Sequence, residues 1–261
     1  MIDAHAHLDD QKYDADRSEI LSNLKSDGVD YLINAASDIE SSKSSIALSK
    51  KYENIYATVG IHPQEVAQFD ENSIASLREL AKEPKVVAIG EIGLDYYYDD
   101  CAPHDLQKEV FKEQLMLAKE LDLPVVIHSR DAHKDTFDIL KEYSQLNPGA
   151  KILLHCYSGS VELMREYMKI GASISLGGVT TFKNGRVAKE VAKEIPKDRL
   201  LLETDSPYLT PEPFRGKRNQ PKYIRYTCEK IAKLRGLDTK TVENFTDENA
   251  KRFYNIGDKN D

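Results

Sequence analysis

The chain has 261 residues, 40% hydrophobic and 31% charged. That suffices for one large core and matches the length at which (β/α)8 barrels run as single domains. A net charge of −8 excludes bulk positive charge as a route to nucleic acid, so any polyanion needs a local basic patch. Cys101, Cys156 and Cys228 form no CxxC, which excludes a zinc knuckle and a disulfide framework.

The first predicted strand, IDAHAHL (2–8), carries His5 and His7. Strand side chains alternate, so both imidazoles face one way, with Cα atoms roughly 6.6 Å apart. At about 2 Å per nitrogen–metal bond the pair can reach one ion. Taken alone, these residues equally fit two strand-edge histidines bonded to backbone or water. DRSEILSNLKSDG (16–28) places Ile20, Leu21 and Leu24 on one helical face and stops at glycine. The runs YLINAA (31–36) and IYATVGIH (55–62) follow, the latter ending in His62, and VVAIGEIGL (86–94) contains Glu91. QKEVFKEQLMLAKELD (107–122) carries Val110, Phe111, Gln114, Leu115 and Ala118 at helical spacing. PVVIHSR (124–130) ends in His128 and Arg130, and KILLHCY (151–157) holds His155. VELMREYMKIG (161–171) is helical, ASISLGG (172–178) is strand seven, and LLLETDSP (200–207) is strand eight with Glu203 and Asp205. The last fifty or so residues contain two more stretches of helical period, 221–236 and 246–255.

Most strand runs are continuously apolar, as parallel strands buried on both faces are. Eight of them alternating with helices predict a (β/α)8 TIM barrel, with a doubly wound open sheet as the competing architecture. No linker or shift of composition divides the chain, so 1–261 is expected to be one domain. Neither GxGxxG nor GxxxxGK[ST] occurs, so no nucleotide cofactor is expected. The chain opens without a basic segment leading into an apolar one, and no apolar run reaches membrane-spanning length. A monomer in the reducing cytoplasm, away from membranes, is the expectation.

In a barrel the chemistry sits where the strands end. Five of the seven histidines fall there, with Glu91 and Asp205; only His104 and His133 do not. Left buried and unpaired, such groups would each cost a few kcal/mol. Their convergence on one rim is explained more economically by metal. Imidazoles with carboxylates suit zinc, manganese, iron or nickel better than calcium. Cys156 follows His155 and should point away if the strand is regular. More than four ligands around a shared carboxylate suggest two ions, an arrangement suited to hydrolysis.

The motifs HAHLDD, GIHP, GEIGLDYYYD, HSRDA, HCYSGS and LLETDSPYL, in that order, resemble those of the TatD family of metal-dependent deoxyribonucleases, from residue 1 to about 255. The resemblance implies a TIM-barrel metallohydrolase holding two divalent ions, with magnesium, manganese and zinc as candidates. It implies that His5, His7 and Asp205 hold one ion, and that Glu91 bridges to a second completed by His128 and His155. It makes Asp205 and Glu91 the catalytic residues, Asp205 being the base that takes the proton of the attacking water. His62 would lie close by and contact substrate phosphate, or fix a neighbouring loop. Many amidohydrolases bridge their ions with a carboxylated strand-four lysine; here Glu91 stands at that place and Lys85 lies too early. That difference favours the phosphoesterase branch.

Glu203 faces the same side of its strand as Asp205, either supporting the metal site, sharing in proton transfer, or paired with a basic residue. Arg130 is placed to pair with phosphate or an acidic neighbour. Between Phe214 and Arg235 lie eight basic residues and one acidic, a local +7 that leaves the remainder at −15. Arg215, Lys217 and Arg218 follow the last strand, so a cationic rim loop beside the ions is expected, suited to a DNA backbone. Tyr96, Tyr97 and Tyr98 either stack nucleobases there or only pack the loop. The expected activity is 3′–5′ exonucleolytic cleavage of single-stranded DNA, the end preference coming from the resemblance alone. The same site could instead serve an amidase, a lactonase or an aminoacyl-tRNA deacylase. A metal-holding scaffold without turnover is disfavoured because Asp205 is retained.

Overall fold

The computed structural model describes residues 1–98 and 101–257. Asp99, which ends the GEIGLDYYYD motif, and residues 258–261 of the expected domain lie outside it. Eight parallel strands pair in chain order: β1 (Ile2–Ala6), β2 (Tyr31–Asn34), β3 (Ile55–Val59), β4 (Val86–Asp95), β5 (Val125–Arg130), β6 (Ile152–Leu154), β7 (Ser173–Leu176) and β8 (Leu200–Leu202). Strand order equals sequence order, the signature of a barrel rather than a doubly wound sheet. The seam is closed just past β8, where the Asp205 N–H donates to the His5 carbonyl (2.9 Å) and the His7 N–H to that of Ser206 (2.7 Å). Asp3, fully buried on β1, reinforces it by accepting from the Thr204 N–H (2.9 Å) and hydroxyl (2.5 Å).

Helices α1 (Arg17–Asn23), α2 (Ile39–Lys51), α3 (Ser73–Leu80), α4 (His104–Leu121), α5 (His133–Leu146), α6 (Val161–Lys169), α7 (Arg186–Glu194) and α8 (Ile224–Arg235) lie between or after the strands. Their apolar faces bury Leu21, Leu77, Phe111, Leu140, Met164 and Ile231 in one large cluster with strand residues such as Leu32, Ile89 and Ile127. The final helix, α9 (Thr239–Tyr254), adds Phe253 and Tyr254 to a second cluster with Ile2, Val87, Val126, Leu153 and Leu201, all at the first or second residue of their strands. Its Tyr254 hydroxyl donates to the Ala4 carbonyl (2.8 Å), so α9 covers the barrel end opposite the rim.

Six strands are shorter at the rim than the apolar runs predict: β1, β2, β3, β6, β7 and β8 end at Ala6, Asn34, Val59, Leu154, Leu176 and Leu202. Past β6 and β8 the chain leaves extended geometry where Cys156 (φ 44°) and Asp205 (φ 53°) adopt the left-handed conformation. β4 instead carries a register shift against β5 between Ile89 and Ile92, a bulge that re-aims Glu91. Just past the bulge only glycine fits: a Cβ at Gly93 (φ 143°) would lie 2.0 Å from the His128 carbonyl oxygen.

Candidate metal centre

Glu91, 4% exposed, stands at the centre of the rim. Its Oε2 lies 3.3 Å from His5 Nε2 and 3.6 Å from His7 Nε2. Its Oε1 lies 2.6 Å from His155 Nε2, 2.8 Å from His128 Nδ1 and 3.5 Å from His62 Nε2. One carboxylate therefore presents each oxygen to a different set of imidazoles. On the Oε2 side, Asp205 Oδ1 sits 3.5 Å from His7 Nε2 and 3.8 Å from His5 Nε2. The two Nε2 atoms are 3.1 Å apart. Two ligands of one ion with bonds of 2.0–2.1 Å stand about 2.9–3.4 Å apart, so this spacing fits a shared ion. The ligand-type atoms of His5, His7 and Asp205, and separately of His62, Glu91 and His128, lie within 4.8 Å of one another. All six residues of the sequence-derived metal set thus come together.

The ring nitrogens have distinct partners. His7 Nδ1 lies 3.1 Å from the Ala35 carbonyl, which can only accept, so Nδ1 carries a hydrogen and Nε2 is the nitrogen turned toward the acidic centre. His128 is reversed: its Nε2 faces Asp95 Oδ2 at 3.0 Å, leaving Nδ1 toward Glu91. His62 differs again. Its Nδ1 accepts the Gln64 N–H (3.2 Å), so Nε2 bears the hydrogen and is a donor rather than a metal ligand. Burial and the neighbouring His128 lower its pKa, keeping that ring neutral.

Burial pushes the Glu91 carboxyl up, but His155, His62 and His128 outweigh it and hold the pKa well below the usual range. Burial likewise works against Asp205, and His7, His155 and His5 prevail to keep it a carboxylate. His7 is pulled down by burial yet raised to about 9 by Asp205 and Glu91. The metal-free centre therefore holds protons on imidazole where an ion would supply the positive charge. A metal ion at those positions would compete with the protons.

Asp95 is the residue that sequence reasoning missed. Fully buried, it accepts from the Gln64 side chain (2.9 Å) and the Tyr97 N–H (3.0 Å) besides facing His128. Burial raises its carboxyl, and these hydrogen bonds overcome that to bring it to about 2. The available signal was an acidic residue at the end of an apolar strand, the pattern that singled out Asp205. Two buried glutamines of α4 hold the same region. Gln107 clasps the Asp95 backbone, accepting its N–H (2.9 Å) and donating to its carbonyl (3.0 Å). Gln114 does the same to Ile61, next to His62, at 2.7 and 2.9 Å.

Several rim expectations are corrected. Arg218 is not a free cation: it pairs with Asp16 at 2.5 and 2.8 Å and donates to the Lys12 carbonyl. Its position brings it back against the first turn of the chain, whose aspartate neutralises it. Arg215 remains exposed and stacks on Phe182 at 4.2 Å, while Lys217 lies 5.6 Å from the Phe214 ring. Arg130 stacks on Tyr97 at 3.6 Å and donates to the Tyr98 hydroxyl (3.1 Å). Tyr97 and Tyr98 are 53% and 43% exposed, whereas Tyr96 packs against His104 and donates to Asp135. The tyrosine run thus divides into one packing residue and an exposed pair. Glu203 has no lysine or arginine partner among the described residues. With β6 ended at Leu154, the regular strand that would turn Cys156 away is absent. Burial and the charges of Asp205, Glu203 and Glu91 push its thiol well above the usual range, so it stays protonated in the metal-free protein. Lys85 donates to the Ser49, Tyr52 and Glu53 carbonyls at the C-terminal end of α2, away from the centre.

The model of the TatD-related DNase family matches residues 2–255. Among curated relatives, an uncharacterized metal-dependent hydrolase of Bacillus subtilis, YabD, is 45% identical over 98% of this chain and 99% of its own. The 3′-5′ ssDNA/RNA exonuclease TatD of Cronobacter sakazakii is 36% identical over 97% of each chain. Among solved structures, the TatD homolog YJJV of Escherichia coli K12 superposes with a TM-score of 0.92 at 30% identity, covering 98% of both.

Proposed function

The chain belongs to the TatD family of metal-dependent hydrolases, and from that premise we propose that it is a 3′–5′ exonuclease acting on single-stranded DNA. One observation carries the reading: Glu91 directs one oxygen to the His5–His7 side and the other to the His128–His155 side. In this reading His5, His7 and Asp205 hold one divalent ion, His128 and His155 a second, and Glu91 bridges them. Bound there, such a pair would lower the pKa of a water and offset the charge of the phosphate oxygens. Asp205, ionised and 14% exposed in its side chain, orients the attacking water and takes its proton. His62, with hydrogen on Nε2, donates to a non-bridging phosphate oxygen. Arg215 and Arg130 hold the backbone from the rim, and the exposed faces of Tyr97 and Tyr98 take bases by stacking. The exonuclease name of the Cronobacter relative supports the choice of bond and of strand end.

The test uses metal-stripped protein and a 5′-labelled single-stranded oligodeoxynucleotide, with magnesium, manganese and zinc restored one at a time. A ladder shortening from the 3′ end is expected with metal and absent in Asp205→Asn. An intact oligonucleotide beside metal-loaded protein would overturn the nuclease reading and direct attention to aminoacyl-tRNA and lactone substrates.

A further inference from the structure

Glu203 is a fully buried carboxylate with no lysine or arginine beside it among the described residues. Leaving such a polar group in the interior is costly unless its hydrogen-bonding positions are used. Its Oε1 accepts the Cys156 N–H (2.6 Å) and its Oε2 the Ser175 hydroxyl (2.6 Å). Two of its lone-pair positions remain, and Oε2 lies 3.8 Å from His155 Nδ1. That nitrogen is buried without a hydrogen-bond partner, as is His5 Nδ1. The His5 and His155 rings stack at 3.9 Å, only 11° from parallel, so the orientation of one constrains the other. Elsewhere in the centre the remote nitrogen of a presumptive ligand is already fixed, His7 by the Ala35 carbonyl and His128 by Asp95.

We propose that Glu203 is the positioning residue of His155: it accepts the Nδ1 hydrogen and so commits Nε2 to the ion on the Glu91 Oε1 side. The proposal rests on the two-ion reading above. The present spacing supports it. His155 Nε2 stands 2.6 Å from Glu91 Oε1, closer than the roughly 2.9–3.4 Å of two ligands sharing one ion. An ion shared by the pair would need them further apart, and a shift of the ring toward Glu203 by about 0.9 Å would close the 3.8 Å gap to a hydrogen bond. A carboxylate behind a ligating imidazole fixes its tautomer and raises its basicity, and losing one costs 10–100-fold in metal affinity.

Two measurements test this on the whole protein reconstituted with zinc. Nitrogen-15 histidine spectra of the wild type should show His155 protonated at Nδ1 and ligating through Nε2, with His128 the reverse. In calorimetric titration, Glu203→Gln should weaken one of two zinc ions 10–100-fold and leave the other within threefold. A purely structural Glu203 would weaken both ions alike or neither, and leave the tautomer unchanged. Should Glu203→Gln fail to fold, the wild-type spectrum decides alone. Two zinc ions bound with His155 ligating through Nδ1, or lacking a hydrogen-bonded Nδ1 proton, would overturn this inference only. Protein that binds no zinc would overturn both this inference and the two-ion reading.

Discussion

Replacing Gln114 with leucine separates the amide's hydrogen bonds from its volume. Gln114 is fully buried on α4, where Oε1 accepts the Ile61 N–H at 2.7 Å and Nε2 donates to the Ile61 carbonyl at 2.9 Å. Leucine fills similar space and supplies neither bond. The Ile61 backbone, itself 3% exposed, is then left with an orphaned donor and an orphaned acceptor. Each costs about 2 kcal/mol, about 4 together, and the added apolar burial returns about 1.5, for a net loss of about 2.5 kcal/mol. In a chain this long each kcal/mol moves Tm by about 2–4 °C, so a fall of about 5–10 °C is expected. Urea melts with an unchanged m-value would measure the loss directly. The control is Gln68→Leu at an exposed site, expected within about 0.5 kcal/mol of wild type. A Gln114→Leu loss below about 0.5 kcal/mol would refute the claim that this amide anchors the end of β3.

Asp205→Asn should lower turnover by about 10²–10⁴-fold while keeping the fold and much of the bound metal, checked by kinetics beside metal analysis. Retention of near-normal rates would remove Asp205 as the base. In the metal-free protein His7 titrates near 9, above the ordinary 6.5, so its charge stabilises that state fully below pH 6.5 and the contribution fades as pH rises through 9. Metal binding at pH 7.5 must therefore expel a proton from His7, and apparent affinity should climb toward pH 9. Calorimetric enthalpies independent of buffer ionisation would contradict this. Arg215→Ala should weaken oligonucleotide binding more at low salt than at high, and reduce the slope of log affinity against log salt by about 0.7. An unchanged slope would mean that Arg215 only packs on Phe182.

The barrel was legible because its strands are continuously apolar and each helix between them carries its own face. The six residues gathered around Glu91 were legible because polar groups end otherwise apolar runs. What escaped depends on pairings distant in sequence. Gln114 was read as part of a buried helical face, but an amide on that face needs a partner, and its partner is the backbone of Ile61, 53 residues away. Asp95 was overlooked because only the fold brings His128 to it. Arg218 belongs to a basic run, yet Asp16, 202 residues earlier, neutralises it. The ends of β6 and β8 fall short of their apolar runs because hydropathy does not report that Cys156 and Asp205 turn left-handed.

The most direct test of the two-ion centre is an anomalous-difference map from crystals soaked in manganese. Two peaks about 3.5–4 Å apart are expected, one against His5, His7 and Asp205 and the other against His128 and His155, with Glu91 giving one oxygen to each. A single peak, or a pair that leaves Glu91 uncoordinated, would contradict the assignment on which the proposed chemistry depends.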